Sequence, residues 1–294
     1  MQVNVQVNSF TRQFVSVVSA ALAGLLCVAA AHAQIKEADR TGGPYVPTPQ
    51  VVVDQMLRFS RVAASDFVID LGSGDGVIVL TAARQHKASG MGLEIDPELV
   101  KLSNASAKKF GIEDRAAFYV QDVFKADLSR ASVVTLYLLP AMMMNLRNKI
   151  FSELRPGARV VSHDYHFGDW EADDRITFDV PEKEPINGVP SATLYLWTIP
   201  AKVSGRWEIK VDGNDVPRDI DLSQNFHKVN GTLLNARGMG LSDVSVKGED
   251  ITFSIWNGAV RHHYRGKVKG NGMGGMVNLD GKEAKWQAAR VVQK

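Results

Sequence analysis

Asp70-Leu71-Gly72-Ser73-Gly74-Asp75-Gly76 is the stretch that decides the fold. It closes a short apolar run, residues 67–71, and opens a helical pattern over residues 77–85. Three glycines at spacing two after a strand let the backbone turn sharply and approach a ligand at the carboxyl edge of a parallel sheet. The dinucleotide-binding fingerprint requires a further glycine at position 77, where this chain has Val77. A glycine loop alone says little, but here it has companions. Glu94 ends the next strand, where a carboxylate can accept from both hydroxyls of a ribose, and Asp122 ends the one after. An acidic residue after each of three successive strands, all at one edge, is far more specific than the loop.

Outward from this stretch the chain alternates short β-rich runs with helical ones, which predicts an α/β domain with a parallel sheet. The strands are expected at residues 67–71, 91–95, 117–120, 133–138 and 159–162, each apolar as suits a strand covered on both faces. Helices are expected at residues 77–85, 97–110 and 141–154, the last starting after Pro140 and stopped by Pro156-Gly157. Its Met142, Leu146, Ile150 and Leu154 share one face, which reads as core. Residues 175–180 and 192–199 then read as an antiparallel pair that brings the sheet to seven strands. After Pro200, eleven of the 25 glycines fall in residues 231–294 and punctuate runs such as Ile251-Thr252-Phe253-Ser254-Ile255-Trp256. Turn signals at that spacing predict a small antiparallel β domain, a barrel or a sandwich, with a part in recruiting substrate or binding an apolar ligand.

Asp70 to Gly76, Gly92-Leu93-Glu94-Ile95-Asp96 and Gln121-Asp122-Val123 resemble, in order and spacing, successive motifs of class I S-adenosylmethionine-dependent methyltransferases. The resemblance implies a seven-strand Rossmann-like sheet and S-adenosyl-L-methionine as cofactor. Carried over, it puts the methionine moiety on Gly72, Gly74 and Gly76, the ribose on Glu94 and the adenine beside Asp122, with Asp70 a further cofactor-binding residue. Pro44-Tyr45-Val46-Pro47-Thr48 with Gln50, Pro140 with Met142-Met143, and Phe167 with Trp170 extend the likeness over residues 44–170. They resemble the lysine methyltransferases that modify the c-ring protein of mitochondrial ATP synthase and the adenine nucleotide translocase. In that family the Tyr-Val-Pro segment folds over the cofactor, which implies Tyr45 and Thr48 as further cofactor contacts. Residues 201–294 have no counterpart in the eukaryotic members.

Methyl transfer from a sulfonium is an in-line displacement, so the protein aligns donor and acceptor and excludes water. The acceptor side is expected at the ends of the fourth and fifth strands, with Tyr137, Pro140, His163 and Tyr165 as the catalytic candidates. His163, Asp164 and His166 offer metal-binding atoms, but an extended segment points His163 and Tyr165 one way and Asp164 and His166 the other, so no metal site is expected. A protein lysine is the expected acceptor; a small molecule or lipid, or a non-catalytic binding protein that keeps the fold, are the alternatives.

Composition sets the remaining bounds. With 45% hydrophobic and 22% charged residues the chain can bury an ordinary core. A net charge of +2 without a basic cluster gives no reason to expect nucleic acid. At the N-terminus Arg12, an apolar stretch over residues 14–31 and Ala31-His32-Ala33 form a signal-peptide pattern; an uncleaved membrane anchor is the other reading of the same stretch. Either predicts export, to the periplasm or to the face of the inner membrane. Cys27, the single cysteine, lies inside this stretch, which leaves residues 34–294 without thiol chemistry. The expected organisation is a signal peptide over 1–33, a linker over 34–43, a methyltransferase domain over 44–200 and a β domain over 201–294. Oligomeric state is not encoded in any of these patterns.

Overall fold

The computed structural model describes residues 45–234, 236 and 239–291, with residues 46–294 assigned to one compact unit. The expected signal peptide and linker lie outside the described residues.

The first sheet has seven strands: β1 (Phe67–Leu71), β2 (Ser89–Glu94), β3 (Ala116–Val120), β4 (Val133–Leu136), β5 (Arg159–His163), β6 (Asp174–Asp179) and β7 (Ser191–Thr198). Their order across the sheet is β3-β2-β1-β4-β5-β7-β6, parallel except for β7, which pairs antiparallel with both β5 and β6. The order reverses beside β1, so the loops after β1 and β4 diverge and leave a crevice at the carboxyl edge.

Period-2 alternation sends successive strand residues to opposite faces. Ile69, Leu71, Val134, Leu136 and Val160 pack on one side with Met142, Met143, Leu146 and Ile150 of α4 (Pro140–Glu153). Val68, Val133 and Val161 pack on the other with Val52, Val53, Met56 and Leu57 of α1 (Gln50–Phe59) and Ile78 and Ala82 of α2 (Val77–Gln85). The methionine-rich face expected to be core is core, while Met144 next to it is exposed. Helix α3 (Pro97–Lys109) starts with Asp96, whose side chain accepts from the Glu98 amide at 2.8 Å, and Pro97 stands at its first position. A 3-10 turn (Pro181–Lys183) and α5 (Glu184–Asn187) connect β6 to β7.

The remaining strands, β8 (Gly205–Val211), β9 (Asn214–Asn225), β10 (Lys228–Leu234), β11 (Met239–Lys247), β12 (Asp250–Asn257), β13 (Val260–Lys269), β14 (Gly272–Leu279) and β15 (Lys282–Arg290), form one antiparallel sheet in the order β10-β9-β8-β15-β14-β13-β12-β11. Its two edge strands approach each other, since a Cβ on Gly231 of β10 would lie 2.4 Å from Leu241 of β11. The second region is therefore a nearly closed barrel and not a sandwich. Trp207, Phe253, Tyr264 and Trp286 fill its interior, as expected for eight strands.

The sheets share no strand, yet the β9–β10 hairpin reaches the first one. Phe226, at its tip, is only 8% exposed and belongs to the core under α4. Its ring stacks on Trp170 at 4.7 Å and meets Phe151 edge-on at 5.4 Å. Phe226 has φ +52°, a left-handed conformation that costs a side-chain-bearing residue about 1 to 2 kcal/mol. Burial of the ring offsets that cost. Lys228 adds an exposed ion pair to Glu171 at 2.8 Å.

Candidate active site

The turn after β1 is bonded to the protein at each step. The Gly72 and Ser73 amides donate to the Leu93 carbonyl at 2.9 and 3.0 Å, and the Gly76 amide donates to the Ser73 carbonyl at 2.8 Å. Gly72, Gly74 and Gly76 all have positive φ, at +76°, +53° and +81°. Packing within the protein adds its own demand for glycine at two of the three positions. The Cβ position of Gly72 lies 2.6 Å from the Leu138 side chain, and that of Gly76 lies 2.6 Å from the Phe118 ring.

Glu94, partly buried at the end of β2, accepts from the Gly74 amide at 2.9 Å through one oxygen. Its other oxygen accepts from the Ile95 and Asp96 amides at 2.7 and 3.1 Å. Asp122 after β3 accepts from the Phe124 amide at 2.9 Å. Asp70, 2% exposed, accepts from the Thr135 hydroxyl at 2.6 Å. Burial pushes its carboxyl up to about 7 against the Thr135 bond, and the Glu94 and Asp75 carboxylates push the same way. Carboxylates thus end β1, β2 and β3 at one edge, an acceptor set suited to amino and hydroxyl donors and to a positive centre. That chemistry fits S-adenosylmethionine.

The acceptor-side candidates follow from the same alternation. Asp70, Thr135, Tyr137 and His163 occupy positions of one parity, on the face covered by α1 and α2. Tyr137 and His163 are in ring contact with centroids 4.0 Å apart and planes tilted by 30°, and Tyr165 stacks on Tyr137 at 6.3 Å. Pro140 is exposed at the first position of α4. Burial pushes the Tyr137 phenol up to about 12, with the Asp164 charge helping. His163 is 1% exposed, and burial pushes its imidazole down to about 4, with Asp164 opposing and Lys183 adding. Neither ring nitrogen of His163 is hydrogen-bonded, although Nε2 lies 3.3 Å from Asp164 Oδ2.

That distance corrects the expected alternation. Asp164 has φ +62°, which breaks the extended run and brings its carboxylate alongside His163. Among the described residues no three His, Cys, Asp or Glu side chains come together as a metal site. Thr48, with Pro47, Gln50 and Val51, lines an open groove shared with Glu182 and Ile186 of the β6–β7 connection. Tyr45 is exposed. Three residues of this region escaped sequence reasoning: Thr135, Lys183 and Ser191. Lys183 sits between two prolines and two glutamates, a composition that reads as surface.

The model of the ANTKMT methyltransferase domain matches residues 70–174. A protein-lysine N-methyltransferase of Saccharolobus islandicus (strain REY15A) is 38% identical over 157 residues, 53% of this chain and 93% of the relative. The chain belongs to this lysine methyltransferase family. The adenine nucleotide translocase lysine N-methyltransferase of Mus musculus is 34% identical over 162 residues, 55% of this methyltransferase and 65% of the mouse protein. The methyltransferase thus spans just under two thirds of that relative's length. An RNA methyltransferase from Salinibacter ruber, crystallised with S-adenosyl-L-homocysteine, is 47% identical over 54% of this chain and 96% of its own, with a TM-score of 0.48. S-Adenosylmethionine is the cofactor of this methyltransferase.

Proposed function

We propose that the enzyme transfers methyl from S-adenosylmethionine to a lysine amine of a protein in the cell envelope, the acceptor entering between the ends of β4 and β5. The observation that carries the acceptor side is the Tyr137–His163 pair, two neutral rings in contact with centroids 4.0 Å apart and planes tilted by 30°, beside the carboxylate edge. The cofactor supplies an electrophilic methyl group on a positive sulfur. Glu94 would take the ribose hydroxyls, Asp122 the adenine edge, and Asp70 with the turn through Gly76 the methionine end.

At neutral pH Tyr137 and His163 neither give nor take a proton readily. A phenol near 12 stays protonated and an imidazole near 4 stays neutral. The lysine amine therefore sheds its proton to water before it reacts, and the rings of Tyr137, His163 and Tyr165 orient it and exclude solvent. An apolar wall favours the neutral amine, since desolvation penalises the charged form. The rate should rise with pH through the titration of the bound amine, below its value of about 10.4 in water.

Export is part of the proposal and rests on the pattern in residues 1–33; among the described residues no helix is long and apolar enough to cross a membrane. Residues 201–294 are proposed to be a separate domain that recruits the acceptor. Mass spectrometry of envelope proteins from cells with and without the chain tests the whole reading. A lysine whose methylation disappears with the chain is expected. A methylated small molecule with no altered lysine would overturn the acceptor and leave the cofactor standing.

A further inference from the structure

Lys183 is 2% exposed and bonded on two sides. Its ammonium donates to Asp164 Oδ2 at 2.5 Å and to the Ser191 carbonyl at 2.6 Å. The other Asp164 oxygen accepts from the Thr193 amide at 3.0 Å, and the Asp164 amide donates to the Thr193 carbonyl at 2.7 Å. The carboxylate next to the Tyr137–His163 pair is thus held from the β6–β7 connection and from β7. A buried ion pair is weak evidence for stability, because desolvating both ions costs about as much as their attraction returns. Its presence beside a methyl-transfer site calls for a different account.

We propose that Lys183 is a positioning residue that occupies the Asp164 carboxylate, so that this carboxylate does not hold an incoming lysine amine in its charged, unreactive form. The inference rests on the lysine acceptor proposed above. A free carboxylate about 4 to 6 Å from an ammonium favours the charged form by about 1 to 3 pKa units. Each unit removes about tenfold of the neutral amine at a pH below the titration. A resident ammonium cancels that field and leaves the pair with no net charge. It also shares the Asp164 oxygen nearest His163, and so adds to the burial that already keeps the imidazole neutral beside the cationic cofactor. Among the described residues, the charged and titratable groups facing Asp164 from the packed elements are Lys183, His163 and Tyr137, with Tyr165 next to Tyr137. Of these, Lys183 alone is a basic amine.

The test uses the full chain as wild type, Lys183→Met, Lys183→Arg and the double variant Lys183→Met with Asp164→Asn. S-Adenosylmethionine binding is checked first by calorimetry. Initial rates of labelled methyl incorporation into envelope protein extract are then read from about pH 6 to about pH 10, at limiting and saturating extract, a range that brackets the amine titration. Lys183→Met should lower the saturated rate at about pH 7.5 by about tenfold or more, move the midpoint of the pH profile up by at least about one unit, and leave half-saturation unchanged or lower. Lys183→Arg should keep the wild-type midpoint, and the double variant should return to it. The ring nitrogens of His163, followed by NMR, should titrate at higher pH in Lys183→Met than in wild type. A plain packing role lowers rates without moving either titration. An unmoved midpoint in Lys183→Met, or a double variant that does not restore it, overturns the role of Lys183. A wild type that binds cofactor and methylates no lysine overturns the acceptor reading and this inference with it.

Discussion

Replacing Glu94 by alanine probes the assignment on which the cofactor geometry turns. In the structure its carboxylate accepts three backbone amides, from Gly74, Ile95 and Asp96. These bonds are made without any ligand, so their loss lowers stability first and largely cancels from the affinity. What does not cancel is the pair of charge-assisted bonds to the ribose hydroxyls. Each is worth about 1.5 to 3 kcal/mol against water, and some of this is regained by solvent at a partly open edge. The net loss is about 2 to 4 kcal/mol, or about 30- to 800-fold in Kd. Glu94→Gln keeps an acceptor oxygen but not the charge, so it should fall between alanine and wild type. Calorimetric titration with S-adenosylmethionine, well below the variants' melting temperatures, gives the numbers. A folded Glu94→Ala that binds with wild-type affinity would refute the assignment.

Three further outcomes follow from the geometry. Asp70 has a folded-state pKa raised from 3.8 to about 7, so the folded protein binds the extra proton in that window and loses stability as pH rises through it. Urea denaturation at about pH 5 and about pH 8, on either side of the raised value, should show Asp70→Asn gaining on wild type at the higher pH, and an identical pH slope in both would contradict the buried carboxyl. Phe226→Ala removes a ring packed on Trp170 and Phe151 and should cost about 3 to 5 kcal/mol in denaturant unfolding. Residues 34–200 expressed alone should still fold and bind cofactor, because the seven-strand sheet borrows no strand from the barrel, but with stability lowered by about the 3 to 5 kcal/mol that the Phe226 ring supplies; a fragment that fails to fold or to bind cofactor would place the boundary elsewhere.

Much of this architecture was legible in the sequence because it is written in local patterns. Short apolar runs marked the strands, Pro140 and Pro156-Gly157 bounded α4, and the acids at 70, 94 and 122 marked one sheet edge. Barrel and sandwich could not be separated, since both consist of alternating strands and differ only in which edges approach. Lys183 was invisible for the opposite reason. Nothing local distinguishes it from a surface lysine, and only the fold brings Asp164 to it. The left-handed turn at Asp164 was missed because aspartate tolerates that conformation without requiring it. Phe226 was missed because a two-residue hairpin calls for glycine, asparagine or aspartate at its first central position, and the aromatic there is explained only by the core it enters.

The side chains beside Gly72 and Gly76 bear on how mutagenesis of this loop is to be read. Leu138 and Phe118 occupy the space a methyl group would need, and the loop's bonds to Leu93 and Glu94 are internal. The cradle is preorganised, so capture of the cofactor requires little ordering of the chain there and gives up little conformational entropy. Alanine at either glycine would then disturb folding whether or not a ligand is present, and lost activity in such a variant would carry no information about binding. Substitutions that leave the backbone alone, at Glu94 and Asp122, are the ones that report on the ligand.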